Sequence, residues 1–495
     1  MDLSRYHQQP RVLGHVIAGH PEEPSLDLVD RAAPGHGRVV SRVSAGTVAD
    51  VDRAISAARK AFDHGPWPHT SGMERARILN RMADLLRENA ELIASIESEE
   101  VGKPIRQALG DVEGTAGMCN YAAGLAMSMH GDIHTNLGDG FTGLITREPA
   151  GVVGMITPWN FPLLLAGQKV PYALGAGCTM VVKPSEFTSS TTLLLAEIAT
   201  EAGVPAGVIS VVTGSGSVVG QRLIESTEVD MISFTGSTRV GKAIARASES
   251  NLKRLSLELG GKSANIVFSD ADLDDAIDGV MFGVFFNQGE CCVSGSRLLI
   301  EDSIADDFLR ELTERVLRLK IGDPQNPATD LGAIIHENHL NQILNHVAAA
   351  ESQGAVIRTG GERIEVAGGG LYLAPTVIDQ VRPGTALFRE EIFGPVLSVT
   401  RFSTADEAIA LANDVEYGLA NSVWSKNIDT ALYVSRRVRS GTVWVNTTID
   451  GAPMLPGGGV KTSGYGREMG QVGFDEFTEI KTVQIRTGKR NKFYS

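Results

Sequence analysis

The sequence predicts an α/β protein with two doubly wound parallel sheets and a small extended arm. Two observations predict the sheets: short apolar, β-branched runs alternate with helical patterns up to about residue 260, and a second alternation of this kind follows. Continuous apolar runs are typical of strands buried on both faces of a parallel sheet. A third observation predicts the arm, because 131–148 and 475–495 have the pattern of strands outside both alternations.

Composition and charge exclude several classes of protein. The 495 residues are 42% hydrophobic and 21% charged, which excludes a disordered chain and allows two or three domains. The net charge of −14 argues against a nucleic-acid partner. Four cysteines suit a reducing compartment, so we expect a cytoplasmic protein. Prolines interrupt the uncharged stretch 149–168 and the first residues lack an apolar segment, so we expect no membrane span and no secretory signal.

Local signals place the individual elements. A β-ribbon with a turn at 34–35 opens the fold, and a helix begins at Thr47, where Asp50 completes a capping-box-like start. A second helix carries apolar residues over 78–96 and ends at Gly102. The remaining elements are expected as strands at 152–156, 180–182, 208–212, 231–234, 297–300, 396–400 and 443–446, and as helices at 193–202, 272–286 and 304–319.

Glycine-rich turns follow the two consecutive strands expected at 208–212 and 231–234. Glycines at such a point allow the backbone to approach a phosphate at the start of the next helix. One such turn is equally compatible with a plain strand–turn–helix connection, but two in succession favour a nucleotide site. The candidate residues are Gly216, Gly220, Gly236 and Ser237.

A polar segment, Lys183-Pro184-Ser185-Glu186, directly follows the strand expected at 180–182. A carboxylate at that strand end can accept hydrogen bonds from ribose hydroxyls and would repel a 2′-phosphate. This segment therefore favours NAD over NADP. The alternative is a solvated lysine followed by a glutamate at a helix start.

Two adjacent cysteines, Cys291 and Cys292, allow three interpretations. A metal site would need more ligands, and no histidine occurs between His134 and His336. A disulfide between adjacent cysteines is strained and rare. A nucleophilic thiolate remains, against the alternative of two buried, inert thiols.

A candidate general base, Glu258, lies between two leucines. A carboxylate in such surroundings is costly unless it has a partner or a function, and burial raises its pKa toward the range of a general base. The alternative is a buried ion pair with Lys262.

A candidate oxyanion donor, Asn160, lies between Pro158 and Pro162. The prolines restrict the turn and would hold the amide in a fixed direction, which suits donation to a developing oxyanion. The alternative is an asparagine that caps its own turn.

Together these segments resemble the NAD(P)-dependent aldehyde dehydrogenase superfamily over about residues 20–485. Seven matching segments occur in the order typical of that family. They are Pro158-Trp159-Asn160-Phe161-Pro162, Lys183-Pro184-Ser185-Glu186, Phe234-Thr235-Gly236-Ser237, Glu258-Leu259-Gly260-Gly261-Lys262, Asn287-Gln288-Gly289-Glu290-Cys291-Cys292, Glu391-Ile392-Phe393-Gly394-Pro395 and Lys461-Thr462-Ser463-Gly464-Tyr465-Gly466-Arg467-Glu468.

The resemblance implies an aldehyde dehydrogenase-like fold and a division into domains. Residues 1–130 and 149–260 would form a discontinuous NAD-binding domain, and 261–462 the catalytic domain. The arm, 131–148 and 475–495, would pair subunits in a homodimer or homotetramer. The implied reaction oxidises an aldehyde to the carboxylic acid with NAD+, through a cysteine thiohemiacetal and a thioester, and without a metal.

The resemblance also implies the roles of individual residues. Cys292 would be the nucleophile and Glu258 the general base, while Asn160 and the Cys292 backbone N–H would form the oxyanion hole. Lys169 and Glu468 match positions implicated in proton relay. The implied cofactor-binding residues are Ile156, Trp159, Lys183, Ser185, Glu186, Gly216, Gly220, Phe234, Gly236, Ser237, Leu259, Glu391 and Phe393.

Two other functions are weighed against this one. The first is a thiol acyltransferase or hydrolase that does not use NAD, and the second is a non-catalytic structural relative. The nucleotide-site residues argue against the former, and retention of Cys292, Glu258 and Asn160 argues against the latter.

The region expected to hold the substrate departs from familiar relatives. Gly457 stands where many of them carry an aromatic residue, and 450–453 also lacks one. This weakens the case for an aromatic box around a quaternary ammonium group and leaves a polar or extended aldehyde as the alternative. Met118 and Tyr121 are candidates for lining an entry tunnel, or else ordinary core residues of a helix.

Overall fold

Two large sheets with parallel centres organise the structure, a computed structural model that describes residues 2–490 and 493–494. The strands are β1 Arg11–Leu13, β2 Val16–Ile17, β3 His20–Pro21, β4 Leu28–Ala32, β5 Val39–Ser44, β6 Asp132–His134, β7 Phe141–Pro149, β8 Val152–Ile156, β9 Thr179–Lys183, β10 Ile209–Val211, β11 Met231–Thr235, β12 Arg254–Glu258, β13 Ala264–Val267, β14 Arg297–Glu301, β15 Val356–Thr359, β16 Arg363–Ile364, β17 Tyr372–Leu373, β18 Thr376–Asp379, β19 Val396–Phe402, β20 Ala420–Trp424, β21 Thr442–Val445, β22 Gly464–Tyr465 and β23 Thr478–Arg486.

Helices cover the faces of these sheets. They are α1 Val48–His64, α2 Gly72–Glu88, α3 Ala90–Val101, α4 Ile105–Ser128, α5 Pro162–Gly167, α6 Val170–Ala176, α7 Ser190–Ala202, α8 Gln221–Glu225, α9 Thr238–Ala247, α10 Leu273–Phe285, α11 Ala305–Val316, α12 Glu337–Ser352, α13 Ala386–Arg389, α14 Ala405–Asn413, α15 Ile428–Ser435 and α16 Gly470–Glu476.

Local signals fix the ends of the first helices. The capping box that begins α1 is confirmed, since Thr47 and Asp50 exchange side chain-to-backbone hydrogen bonds. The prediction of one continuous second helix is wrong, because α2 and α3 are separate. Asn89 interrupts them, and its side chain donates to the Leu85 carbonyl at 2.7 Å. The predicted end at Gly102 is confirmed by a left-handed φ of 92°.

The first sheet has the order β22-β12-β11-β8-β9-β10-β2-β3. Its five central strands, from β12 to β10, are parallel. β8, β9 and β11 are buried along their whole length, which is why their sequences are almost entirely apolar. The short strand β22 pairs antiparallel with β12 and returns a segment from the far end of the chain to this sheet.

The second sheet has the order β15-β18-β19-β14-β13-β20-β21. In this spatial order, the six strands from β18 to β21 are parallel. Apolar clusters on its two faces form the core of this half of the protein. The predicted fold class, with two doubly wound sheets, is therefore confirmed. The strands of the first sheet lie within residues 16–258 and 464–465, and those of the second sheet lie within residues 264–445. The exact domain boundaries stay a prediction.

The arm is a separate antiparallel sheet in the order β23-β7-β6. Its strand β23 pairs with β7 from Thr478 opposite Pro149 to Arg486 opposite Phe141. The strand pattern predicted from 475 begins later in the structure, because α16 continues to Glu476 and β23 starts at Thr478. Across residues 2–490 and 493–494, no helix has both the length and the apolar character needed to cross a membrane.

Candidate active site

The carboxyl edge of the first sheet brings several predicted site residues together. Ile156 is in register with Lys183 on one side and with Phe234 on the other, and Thr235 is in register with Glu258. Because these strands are parallel, the segments that follow them emerge at the same edge. That edge is where ligands bind in open α/β sheets.

We call the space outside this edge, next to Ile156, Lys183 and Gly220, the groove. A Cβ atom at Gly220 would lie 3.8 Å from Ile156 Cδ1 and 3.9 Å from Lys183 Cδ, so the three residues are neighbours. Lys183 Nζ donates to the Pro184 carbonyl at 2.8 Å and to Glu186 Oε2 at 3.3 Å. An ammonium group has three hydrogens, so one remains for a ligand. Burial lowers the pKa of Lys183.

The two glycine turns begin helices next to this groove. Gly216–Gly220 forms a π-helical turn that leads into α8, and a Cβ atom at Gly216 would meet open space. The second turn places Gly236 before Ser237, the N-cap of α9, whose Oγ accepts from Val240 N. Both turns thus lie directly before a helix that follows a strand of this sheet, and their role in nucleotide binding stays a prediction.

Two residues from the second half of the chain reach the same region. Glu391 Oε1 accepts a hydrogen bond from Gly261 N at 2.9 Å, and burial raises the pKa of Glu391 to about 7. Phe393 has a left-handed φ of 58°. Its ring packs edge-on against Trp159 with 5.3 Å between centroids. This strained position holds the two rings together.

The nucleophile candidate follows a strained loop. Asn287, Gln288 and Gly289 have consecutive left-handed φ angles of 50°, 56° and 73°. Cys292 is half-buried and Cys291 is buried. The neighbouring Cys291 thiol, burial and the carboxyl groups of Glu391 and Glu258 all raise the pKa of Cys292. These influences all disfavour the Cys292 thiolate, so attack by this sulfur calls for a base that removes its proton.

The oxyanion candidate is tied to that loop. Asn160 Nδ2 donates to the Glu290 carbonyl at 2.9 Å, and Asn287 Nδ2 donates to the Asn160 carbonyl at 3.2 Å. The amide of Asn160 therefore bonds to another segment rather than capping its own turn. One of its two amide hydrogens is left for a further acceptor.

The general-base candidate, Glu258, ends β12 and is half-buried. Its Oε1 lies against Gly458, where a Cβ atom would be only 2.6 Å away. Burial, and then the nearby Glu468, raise the pKa of Glu258 well above its usual value. The alternative ion pair with Lys262 does not form, because Lys262 Nζ has no hydrogen-bond partner among the described residues.

The remaining catalytic candidates, Lys169 and Glu468, form a buried ion pair. Burial raises the pKa of Glu468. Two of the cofactor candidates are buried beside the site: Ser185 Oγ accepts from Phe187 N at 3.3 Å, and Leu259 N donates to the Ser463 carbonyl at 2.8 Å. No group of three or more potential metal ligands occurs in the part of the chain that the structure describes.

Known proteins are similar to this chain in sequence and in fold. The profile of the Aldehyde dehydrogenase family matches residues 22–483. The chain belongs to this family. Betaine aldehyde dehydrogenase of Bacillus subtilis (strain 168) is 43% identical over 456 residues, which is 92% of this chain and 93% of that protein.

Solved structures of other aldehyde dehydrogenases have the same fold. An NAD-dependent aldehyde dehydrogenase from Sinorhizobium meliloti superposes with a TM-score of 0.97 at 48% identity, covering 99% of this chain and 98% of that one. Betaine aldehyde dehydrogenase from Staphylococcus aureus in complex with NAD+ has a TM-score of 0.95 at 37% identity, covering 98% and 97%. The predicted family, fold and enzyme class are confirmed.

Sequence reasoning missed several residues that organise the site of this aldehyde dehydrogenase. Asn287 joins the nucleophile loop to Asn160. His339 Nε2 lies 2.7 Å from the Phe393 carbonyl, and its ring packs against Trp159. The asparagine and glycine after α10 signal left-handed backbone, which could have drawn attention to Asn287.

Met118 is buried in the main apolar core, and Tyr121 packs against it.

Proposed function

We propose that this aldehyde dehydrogenase oxidises an aldehyde to the carboxylic acid with NAD+, using Cys292 as nucleophile, Glu258 as base and Asn160 as oxyanion donor. One observation carries the proposal. A half-buried thiol, a carboxyl group of raised pKa and an amide held across two segments converge at the carboxyl edge of the first sheet. That set of groups suits covalent catalysis at a carbonyl carbon.

The groove fits NAD. Gly216 leaves room for a phosphate, and the spare hydrogen of Lys183 and the carboxylate of Glu186 suit ribose hydroxyls. The remaining predicted cofactor contacts surround the same edge, with Glu391 suited to the second ribose. Bound NAD+ supplies the acceptor for the hydride that leaves the aldehyde carbon. The Glu186 carboxylate favours NAD over NADP because it repels a 2′-phosphate.

The protein's own groups perform the addition step. Glu258 accepts the proton of the Cys292 thiol and later releases it to solvent, and the sulfur attacks the carbonyl carbon, so that the oxygen gains negative charge in a thiohemiacetal. The free hydrogen of the Asn160 amide and the Cys292 backbone N–H donate to that oxygen. Donors that are already oriented stabilise such a charge without reorganisation.

Release of the acid uses the carboxyl group. Once hydride loss has produced a thioester on Cys292, Glu258 takes a proton from a water molecule, whose oxygen attacks the thioester carbon. The sulfur leaves with the proton returned to it. The raised pKa of Glu258 suits a group that must accept a proton near neutral pH. The charges of the buried pair Lys169 and Glu468 act on the pKa of Glu258, which supports a role for this pair in relaying that proton.

The experiment is NADH formation with a panel of aldehydes, run with NAD+ and NADP+. We expect Cys292→Ala to abolish it and the neighbouring Cys291→Ala to retain it. Binding of NAD+ without turnover by any aldehyde would favour a non-catalytic relative, and thioester hydrolysis independent of NAD+ would favour the thiol hydrolase.

We also infer that the arm pairs subunits in a homodimer or homotetramer. β23 is an edge strand, and Ile480, Val483 and Ile485 are exposed on it. A long exposed apolar edge is unfavourable unless another chain covers it. Light scattering should give the mass of an oligomer, and Ile480→Glu should reduce it. Leu26→Glu, at an exposed apolar residue outside the arm, should leave it unchanged.

We further infer that residues 1–130 and 149–260 bind NAD while 261–462 supply the nucleophile, and that the protein is cytoplasmic. Most of the candidate NAD-binding residues belong to the first sheet and the turns that follow its strands, whereas Cys292 lies between β13 and β14 of the second sheet, and this supports the proposed division into domains. The free state of Cys119, Cys178, Cys291 and Cys292 supports the location. Thiol labelling of the denatured protein from cells should modify all four cysteines.

A further inference from the structure

A cavity of about 510 Å³ opens beside the nucleophile loop. Its wall includes Arg106, Gly110, Asp111, Phe282, Phe286 and Asp330. The volume falls within the range of about 300–1,000 Å³ that is typical of small-molecule sites. Gln107, also on the wall, accepts a hydrogen bond from Asn287 N at 2.9 Å, so the cavity borders the loop that carries Cys292.

Three phenylalanine rings connect this cavity with the reacting groups. Phe282 is 45% exposed, and its ring centroid lies 5.0 Å from that of Phe286. Phe286 is stacked on Phe161 with 5.7 Å between centroids and 22° between planes. Phe161 directly follows Asn160 and packs in a small apolar cluster with Cys291. The three rings are therefore in continuous contact from the exposed Phe282 to the buried Phe161, which directly follows Asn160.

Helix α4 leaves space near these rings. Gly110, Gly114 and Gly117 lie four and three residues apart and share one helix face. A Cβ atom at Gly110 would meet nothing within 4 Å, one at Gly114 would lie 2.9 Å from Leu164 Cδ1, and one at Gly117 3.9 Å from Pro453 Cγ. A larger residue at Gly110 would therefore enter the cavity, whereas one at Gly114 would press against Leu164.

The charged groups on the wall already have partners. Arg106 Nη2 donates to Asp330 Oδ1 at 2.9 Å and to the Thr329 carbonyl at 3.1 Å. Asp111 Oδ2 accepts from the buried Lys103 Nζ at 2.5 Å. A charged substrate would find no unpaired counter-charge among these groups. The wall therefore suits a neutral molecule.

We propose that this cavity receives the ring of a neutral aryl aldehyde, which packs against Phe286 beside the glycine face of α4. The inference rests on the proposed function and specifies the substrate of that site. A short aliphatic aldehyde would leave most of the space unfilled, and an aromatic ring gains offset-stacked or edge-to-face contacts with phenylalanine beyond its buried area.

Two pairs of substrates test the proposal in the full-length enzyme with NAD+. Phenylacetaldehyde and acetaldehyde differ in size, and phenylacetaldehyde and cyclohexylacetaldehyde differ mainly in aromaticity. We expect kcat/KM for phenylacetaldehyde to exceed that for acetaldehyde by about tenfold or more, as pocket filling allows. Phe286→Leu should lower the preference for phenylacetaldehyde over cyclohexylacetaldehyde.

A glycine substitution tests the location. Gly110→Leu should lower kcat/KM for phenylacetaldehyde about tenfold more than it lowers kcat/KM for acetaldehyde. Gly124→Leu is the matched control, since Gly124 is also an exposed glycine of α4 with nothing within 4 Å of a Cβ atom. Leucine favours a helix more than glycine does, so both variants should fold.

Several outcomes would overturn the inference. One is an equal loss of kcat/KM for both aldehydes in Gly110→Leu, and another is an equal effect of the substitutions at Gly110 and Gly124. A third is a preference for a charged aldehyde such as succinic semialdehyde or betaine aldehyde. Absence of NADH formation with every aldehyde would instead contradict the proposed function. The two failures are therefore distinguishable.

Discussion

The ammonium group of Lys103 lies 4.1 Å from the centre of the ring of Phe161, which directly follows the proposed oxyanion donor Asn160. Lys103 Nζ is fully buried and also contacts Asp111 Oδ2 at 2.5 Å and Glu97 Oε1 at 3.2 Å. The other oxygen of Glu97 accepts from Leu163 N at 3.2 Å. This buried cluster therefore contacts both the ring after Asn160 and the first turn of α5.

Removal of this charge should destabilise the protein strongly. Lys103→Met would leave two carboxyl groups buried without their cation, and breaking a buried pair in this way costs about 3–5 kcal/mol. Urea unfolding followed by circular dichroism measures the change. Arg106→Met is the matched control, because the exposed pair of Arg106 with Asp330 should contribute at most about 1 kcal/mol. Equal destabilisation by the two variants would contradict this reading of the cluster.

Truncation of the oxyanion donor should slow the chemistry more than it weakens binding. Asn160→Ala removes the side-chain donor, and loss of one such donor typically lowers kcat by about 10²- to 10³-fold. Steady-state kinetics should show this loss with little change in KM. Asn120→Ala, at an exposed asparagine of α4, should retain the wild-type kcat. A loss confined to KM would show that Asn160 only binds the aldehyde.

The pH at which kcat/KM rises should depend on the charged groups around Glu258. A base acts when deprotonated, so kcat/KM should rise with pH through the raised pKa of Glu258. Glu468→Gln removes the like charge and leaves Lys169 behind, so it should lower the pKa of Glu258 and move the rise to lower pH. Lys169→Met should move it to higher pH.

The control for this profile is the thiol itself. Alkylation of Cys292 by iodoacetamide over the same pH range separates the titration of the thiol from that of Glu258. If the pH profile of kcat/KM does not shift in Glu468→Gln or in Lys169→Met, then Glu258 is not the group whose titration limits the reaction.

Local patterns predicted the strand ends well and the contacts between distant segments poorly. The apolar runs at β8, β9 and β11 reflect burial on both faces, so the position of Lys183 at the carboxyl edge follows from the sequence. Strand β12, which ends at Glu258, was not among the predicted strands. The break at Asn89 was missed because the apolar spacing continues across it. The contacts of Lys103 with Phe161 and of Asn287 with Asn160 join segments that only tertiary packing brings together.

Neutralising Glu186 should change the choice of cofactor. Glu186→Gln keeps the shape of the side chain but removes the charge that repels a 2′-phosphate, and it frees Lys183, now 3.3 Å from Glu186 Oε2, to meet that phosphate. We expect kcat/KM with NAD+ to fall by about tenfold, the loss typical of a hydrogen bond to a charged group, and kcat/KM with NADP+ to rise. Glu225→Gln, at the exposed end of α8, is the control. An unchanged ratio of the two cofactors would mean that Glu186 does not face the ribose, and the preference for NAD would then need another origin in the groove.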